Sequence, residues 1–175
     1  MTSHIDDGAS AAIGERRRLT LLFTDLAGST VLVRAAEAEH YRELLMAIRR
    51  IWHDAAAEHG GRVVLAQGDG ALIVFGIPQP GEDDGRRAAD AALDIHEQVS
   101  HLRPFGVPPA LLPLRMHSGI HTGTLLLSDG DIERGVFDLT GDAMNTAAHL
   151  SQQAGAPAKA SLATTKIPNT RLVTT

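Results

Sequence analysis

Two apolar rhythms alternate along the chain, and their order leaves few folds open. Residues 19–25 (LTLLFTD) form a continuous β-type apolar run stopped by LAGST, which predicts a short buried strand. From Ser29 or Thr30, either able to cap a helix, apolar residues return at helical spacing: Val31, Leu32, Ala35, Tyr41, Leu44, Leu45, Ile48, Ile51, Trp52 and Ala55. That spacing predicts one long helix, ended by Gly60 and Gly61. Residues 62–66 and 71–75 are β-type segments around Gln67-Gly68-Asp69-Gly70, a hairpin with a carboxylate at its tip. The breaker PQPGEDD opens a second helix, whose stripe is Ala88, Ala91, Ala92, Ile95, Val99 and Leu102. After the proline-rich loop PFGVPPALLP, residues 114–122 and 124–128 predict a strand pair turning near Gly123. A short third helix is expected from about Asp142, carrying Ala143, Ala147, Ala148 and Leu150. Strand, helix, hairpin, helix, hairpin, helix predicts an α+β domain with a largely antiparallel sheet rather than a doubly wound one.

Composition narrows the chemistry. With 175 residues and 43% hydrophobic content the chain can bury one core of ordinary size. Residues 1–16 read as a flexible lead-in, 17–155 as the domain, and 156–175 as a low-pattern C-terminal segment or the truncated end of the same domain. There is no cysteine, which excludes disulfides, thiolate metal sites and cysteine nucleophiles. A net charge of -5 argues against a general nucleic-acid surface, although a nucleotide can still be held through metal ions. The first residues lack the basic start and apolar stretch of a secretory signal, and no uninterrupted apolar run reaches membrane-spanning length, so a soluble, cytoplasmic protein is expected.

Two places carry chemistry. In Phe23-Thr-Asp25-Leu-Ala-Gly28-Ser29-Thr30 a strand delivers a carboxylate and a small-residue turn opens a helix. A triphosphate fits over Gly28, Ser29 and Thr30, with its metal on Asp25. The same residues also suit an ordinary strand-to-helix turn. Asp69, between Gly68 and Gly70, suits an ordinary turn as well. The pair says more than either member: if the first strand lies beside the hairpin, two carboxylates converge at one sheet edge, as a two-metal site for polyphosphate chemistry needs.

FTDLAGST, QGDGALIVFG, SGIHTG and FDLTGDAMNTAAHL, in this order, resemble the catalytic domain of class III adenylate and guanylate cyclases. The resemblance runs from about Arg18 to Gly155. It implies a ferredoxin-like βαββαβ core and two Mg2+ or Mn2+ ions held by Asp25, Asp69 and the backbone carbonyl of Leu26. It also implies that Asp138 accepts a hydrogen bond from the adenine amino group, favouring ATP over GTP, and that Asn145 orients the ribose. Family members act as head-to-tail dimers, so a homodimer, or a heterodimer with another cyclase chain, is expected. The apolar segments 71–75 and 125–127 point the same way, since they exceed what a small core needs.

The sequence also departs from the family. Four residues after Asn145 stands His149, where the family has an arginine at the α-phosphate. An imidazole is shorter than a guanidinium and carries no permanent charge. Leu65 stands where many adenylate cyclases have a lysine against the purine. His117 and His121 alternate on the SGIHTG strand, and packing or hydrogen bonding accounts for them more simply than a shared metal. These departures keep a second reading open, a catalytically weak regulatory domain that pairs with a competent cyclase chain.

Overall fold

The structure, a computed structural model, describes residues 15–127 and 170–174. Strand β1 (Glu15–Leu26) leads through helix α1 (Ser29–Ala35) into helix α2 (Ala38–Glu58). The hairpin β2 (Arg62–Gln67) and β3 (Gly70–Phe75) follows, then helix α3 (Asp84–His101). Beyond a single 3-10 turn at Pro109–Leu111 come β4 (Met116–Leu127) and β5 (Thr170–Thr174). The sheet order is β2-β3-β1-β4-β5, and every neighbouring pair is antiparallel. Up to β4 this is the expected βαββαβ core, with β1 and β3 central.

Strand periodicity sorts β1 onto two faces. Leu22 and Leu26 join Ile73, Phe75, Met116 and Ile120 under α2 and α3, against Leu44, Ile48, Trp52, Ala88, Ala91, Ala92 and Ile95. The three alanines leave little side chain between α3 and the sheet, so that helix packs close. Leu19 and Leu21 point to the other face and cluster with Leu72, Val74 and Leu125. At the start of α3 the acidic stretch works structurally. Asp84 is buried, accepts the Gly81 N–H at 2.9 Å and pairs with Arg87. Arg87 in turn donates to the carbonyls of His59 and Gly60, both at 3.2 Å, tying the end of α2 to the start of α3.

Several expectations need correction. The predicted long helix is two helices, because Ala36 and Glu37 are both extended. The break lets α1 bury Leu32 while α2 turns its own stripe onto the sheet, and no Gly or Pro announces it. The predicted pair at 114–128 is instead the single strand β4. Gly123 lies in register with Leu19, and the whole strand is paired along the equally long β1. The C-terminal segment includes β5, which extends the same sheet by pairing with His117–His121 of β4. Residues 71–75 and Leu125 are buried inside this chain and leave no surplus apolar surface there. Strand β1 begins at Glu15, so residues 15 and 16 belong to the sheet. The predicted third helix lies outside the described residues.

Candidate active site

The end of β1 and the tip of the β2–β3 hairpin meet. Asp25 is in register with Gly70 on one side and His117 on the other. The N–H of Leu26 donates to the carbonyl of Asp69 at 3.0 Å, so the hairpin turn is fastened to the strand that carries the first carboxylate. Gly68 holds the turn at φ +59°, a conformation that side-chain-bearing residues adopt at a cost. From α2, Arg49 donates to the Gly68 carbonyl at 3.3 Å. The two acids singled out from the sequence are therefore brought together, with the Leu26 backbone beside them.

The electrostatics of the pair are unfavourable as they stand. Burial pushes the Asp25 carboxyl above its ordinary range; His117 pulls it back down, and the charge of Asp69 pushes it up again. Oδ1 of Asp25 is buried without a hydrogen-bond partner. The Tyr41 hydroxyl is raised as well, by burial first and by Asp69 second. A buried acceptor of this kind costs about 1–3 kcal/mol unless something satisfies it. A divalent cation would do so and neutralise both acids, so the residues present fit the ion that the motif implies. Among the described residues no group of three or more acidic or histidine side chains forms a metal cage. The site offers two carboxylates and backbone oxygen, a donor set suited to Mg2+ or Mn2+ completed by substrate phosphates.

Gly28 caps α1 in the left-handed region, at φ 68°, with no side-chain cap bond, and a Cβ built there would meet nothing within 4 Å. The segment of Gly28, Ser29 and Thr30 thus follows the first carboxylate directly and is open on its outer side. Leu65 is 47% exposed on the edge strand β2. It pairs with Leu72, which pairs with Phe23, so Leu65 shares the Asp25 face one side-chain repeat away. Asp138, Asn145 and His149 lie outside the described residues.

Two features escaped the sequence. The first is a buried polar chain behind the site: His96 Nε2 lies 2.9 Å from Ser118 Oγ, which donates to Thr24 Oγ1 at 3.0 Å. Burial, and then His117, hold His96 at about 4, so it is neutral in the fold. The spacing of His96 from Ala92 and Val99 marks it as inward-facing, but its partners appear only once β1 and β4 are in register. The second is His117, whose Nδ1 lies 3.7 Å from Asp25 Oδ2. His121 is four residues along the same strand, about 13 Å away, and is paired with Leu21. The two histidines cannot share an ion.

Residues 12–167 match the family model of the adenylate and guanylate cyclase catalytic domain. The chain belongs to this family. An uncharacterised protein of Rhizobium meliloti is 33% identical over 82% of the chain and 14% of its own length. The soluble guanylate cyclase subunit beta-2 of Rattus norvegicus is 27% identical over 94% of the chain and 24% of its own length. An adenylate cyclase of Mycobacterium tuberculosis is 28% identical over 75% of the chain and 29% of its own length. This cyclase domain therefore spans less than a third of the length of these relatives. Among solved structures, the monomeric guanylyl cyclase domain of the RhoGC fusion protein from Blastocladiella emersonii superposes with a TM-score of 0.68 at 21% identity, covering 79% of this chain and 77% of that one. The adenylyl cyclase CyaB of P. aeruginosa gives 0.64 at 23% identity, covering 79% and 73%. At that identity the likeness establishes the fold. Among the described residues no helix is long and apolar enough to cross a membrane.

Proposed function

We propose that this cyclase domain converts ATP to 3',5'-cyclic AMP and pyrophosphate, with two Mg2+ or Mn2+ ions, in the cytoplasm. The observation that carries the proposal is the Asp25 carboxylate, which feels the charge of Asp69 and has one buried oxygen unsatisfied. Asp25, Asp69 and the Leu26 carbonyl hold the ions. When bound, the ions supply charge neutralisation at the phosphates and acidify the attacking hydroxyl. The ribose 3'-oxygen attacks the α-phosphorus, the bond to the β-bridging oxygen breaks, and the hydroxyl proton leaves to solvent.

The chain supplies position rather than a nucleophile. Backbone N–H groups at Gly28, Ser29 and Thr30 face the phosphates, Asp138 accepts from the adenine amino group, and Asn145 orients the ribose. Pairing two chains head to tail, as a homodimer or with another cyclase chain, completes each pocket. His149 receives charge at the α-phosphate less well than an arginine, so turnover is low. The test is incubation of the purified protein with ATP or GTP and Mn2+, with products separated by chromatography. Cyclic AMP is expected from the native protein and none from Asp25→Ala or Asp69→Ala.

A second reading, a regulatory domain that pairs with a competent chain, is favoured by one observation. The half-exposed Leu65 offers no hydrogen bond on the face where substrate would lie. It is adopted if no cyclic product forms from ATP or GTP while metal-dependent nucleotide binding persists.

A further inference from the structure

On the face of the sheet under α3, the pairs that β1 makes with β4 alternate in kind. Leu26 faces Met116, Thr24 faces Ser118, Leu22 faces Ile120 and Thr20 faces Thr122. Both hydroxyl pairs are hydrogen-bonded, at 3.0 Å between Ser118 and Thr24 and at 2.8 Å between Thr20 and Thr122. They lie four residues apart on β1, about 13 Å along the strand. Thr20, Thr24 and Ser118 are buried, so water does not replace a lost partner. Sliding β1 by two residues would keep every side chain on its own face. It would also set Thr24 against Met116 or Ile120, and Ser118 against Leu22 or Leu26. Apolar partners tolerate that exchange and buried hydroxyls do not. The pair nearer the site has a third member, since His96 of α3 lies 2.9 Å from the Ser118 hydroxyl.

We propose that Thr24, Ser118 and His96 are positioning residues, a buried clamp that fixes the end of β1 and, through it, the Asp25 carboxylate. That carboxylate has little of its own to hold it. Its Oδ1 is buried without a hydrogen-bond partner, and its Oδ2 meets His117 Nδ1 as an ion pair at 3.7 Å. The strand therefore sets its place. Leu26, the residue after it, is fastened to the Asp69 carbonyl. Thr24, the residue before it, is fastened to β4 and α3 on the opposite face. Pinned on both sides, residue 25 stays beside Asp69 despite the like charge. The Thr20–Thr122 pair has the same chemistry too far away to act on Asp25, and it keeps the register when the nearer pair is removed. The inference rests on the two-metal reading above for what Asp25 does, and on the clamp alone for where Asp25 sits.

Two measurements on the full chain test it, each made on Thr24→Val, Thr24→Ser and Thr20→Val. Valine keeps the branched shape of threonine without the hydroxyl, and serine keeps the hydroxyl. Hydrogen exchange in the metal-free protein reads the Leu26 amide, which the Asp69 carbonyl protects. Calorimetry reads the affinity for Mn2+ alone. Thr24→Val is expected to speed Leu26 exchange and to weaken Mn2+ about tenfold, the low end of the range for partners that orient a metal ligand. Thr24→Ser and Thr20→Val should match native protein in both. If Thr24→Val unfolds at lower urea yet exchanges and binds as native protein does, the clamp is structural only, and the inference falls while the two-metal reading stands. Equal losses in Thr24→Val and Thr20→Val also overturn it, since nearness to Asp25 then plays no part. If Asp25→Ala leaves Mn2+ binding unchanged, the two-metal reading falls, and the Leu26 amide still decides whether the clamp holds the strand end. Where Thr24→Val does not fold, Ser118→Ala takes its place with the same expectations.

Discussion

Asp25 is ionised against its surroundings. Its folded carboxyl lies above its ordinary range, so the folded state takes up a proton before the unfolded chain does, and the ionised form is a cost at neutral pH that falls away as pH drops. Asp25→Asn should therefore stabilise the metal-free protein while removing metal binding. Because the side chain is 39% exposed, screening keeps the gain small, and a rise in melting temperature of about 1–3 °C is expected by scanning calorimetry. Mn2+ should raise the melting point of native protein and leave the variant where it is. His149 carries the complementary prediction. His149→Arg supplies a permanent cation able to bind two oxygens, and turnover should rise on the order of 10³-fold, the scale of arginines in other phosphoryl-transfer sites. Steady-state assay with ATP and Mn2+ checks it, and turnover left at background would favour the regulatory reading. At this scale the placement of Asp25 at the end of a strand and of Asp69 at a hairpin tip was legible, because a strand stop and a hairpin tip announce themselves locally. His117 was not, since its partner is set by the β1–β4 register and no local pattern encodes that.

Elements show the same division. The first strand, the hairpin and α3 follow from apolar periodicity and Gly or Pro punctuation. The interruption between α1 and α2 has no such punctuation: Ala36 and Glu37 are extended because tertiary packing turns α2 onto the sheet. Gly123 misleads in the opposite sense, reading as a turn where the long ladder with β1 keeps the strand straight. The buried chain from α3 through β4 to β1 has a measurable acid signature. His96 is held at about 4 in the fold against 6.5 unfolded, so the unfolded chain binds its proton first as pH falls. Stability is fully present above about 6.5 and is lost between there and 4, on the order of 3 kcal/mol. His121, lowered by burial, adds a loss of the same sign. Urea midpoints should fall through this window in native protein and fall less in His96→Leu. A second prediction concerns β5. Deleting residues 170–175 strips β4 of its partner along His117–His121, so the melting temperature should drop and light scattering should show aggregation through the bared edge.

The described residues form a five-stranded sheet with α2 and α3 on one face and the candidate site at the β1 end of the other. The fold class was legible because the order of rhythms admits few topologies; the faces were not, because periodicity gives alternation without saying which side is covered. Residues 71–75 and Leu125, first suggested for pairing, are buried within the chain, so the proposed pairing draws on other surfaces. Sedimentation at high micromolar concentration with ATP and Mn2+ should show a dimer, and a monomer there would point to a heterologous partner. The fastening of Leu26 to Asp69 has a last consequence. Asp25 and Asp69 are separated in sequence by two whole helices and a strand, yet their approach depends only on the register of β1 against β3. The connections from α1 to α2 and from α2 to β2 can thus lengthen at little expense to the approach of the two acids. A slip of one residue in that register would instead turn Asp25 inward beneath the helices. Heredity can edit the connections freely, but not the alignment.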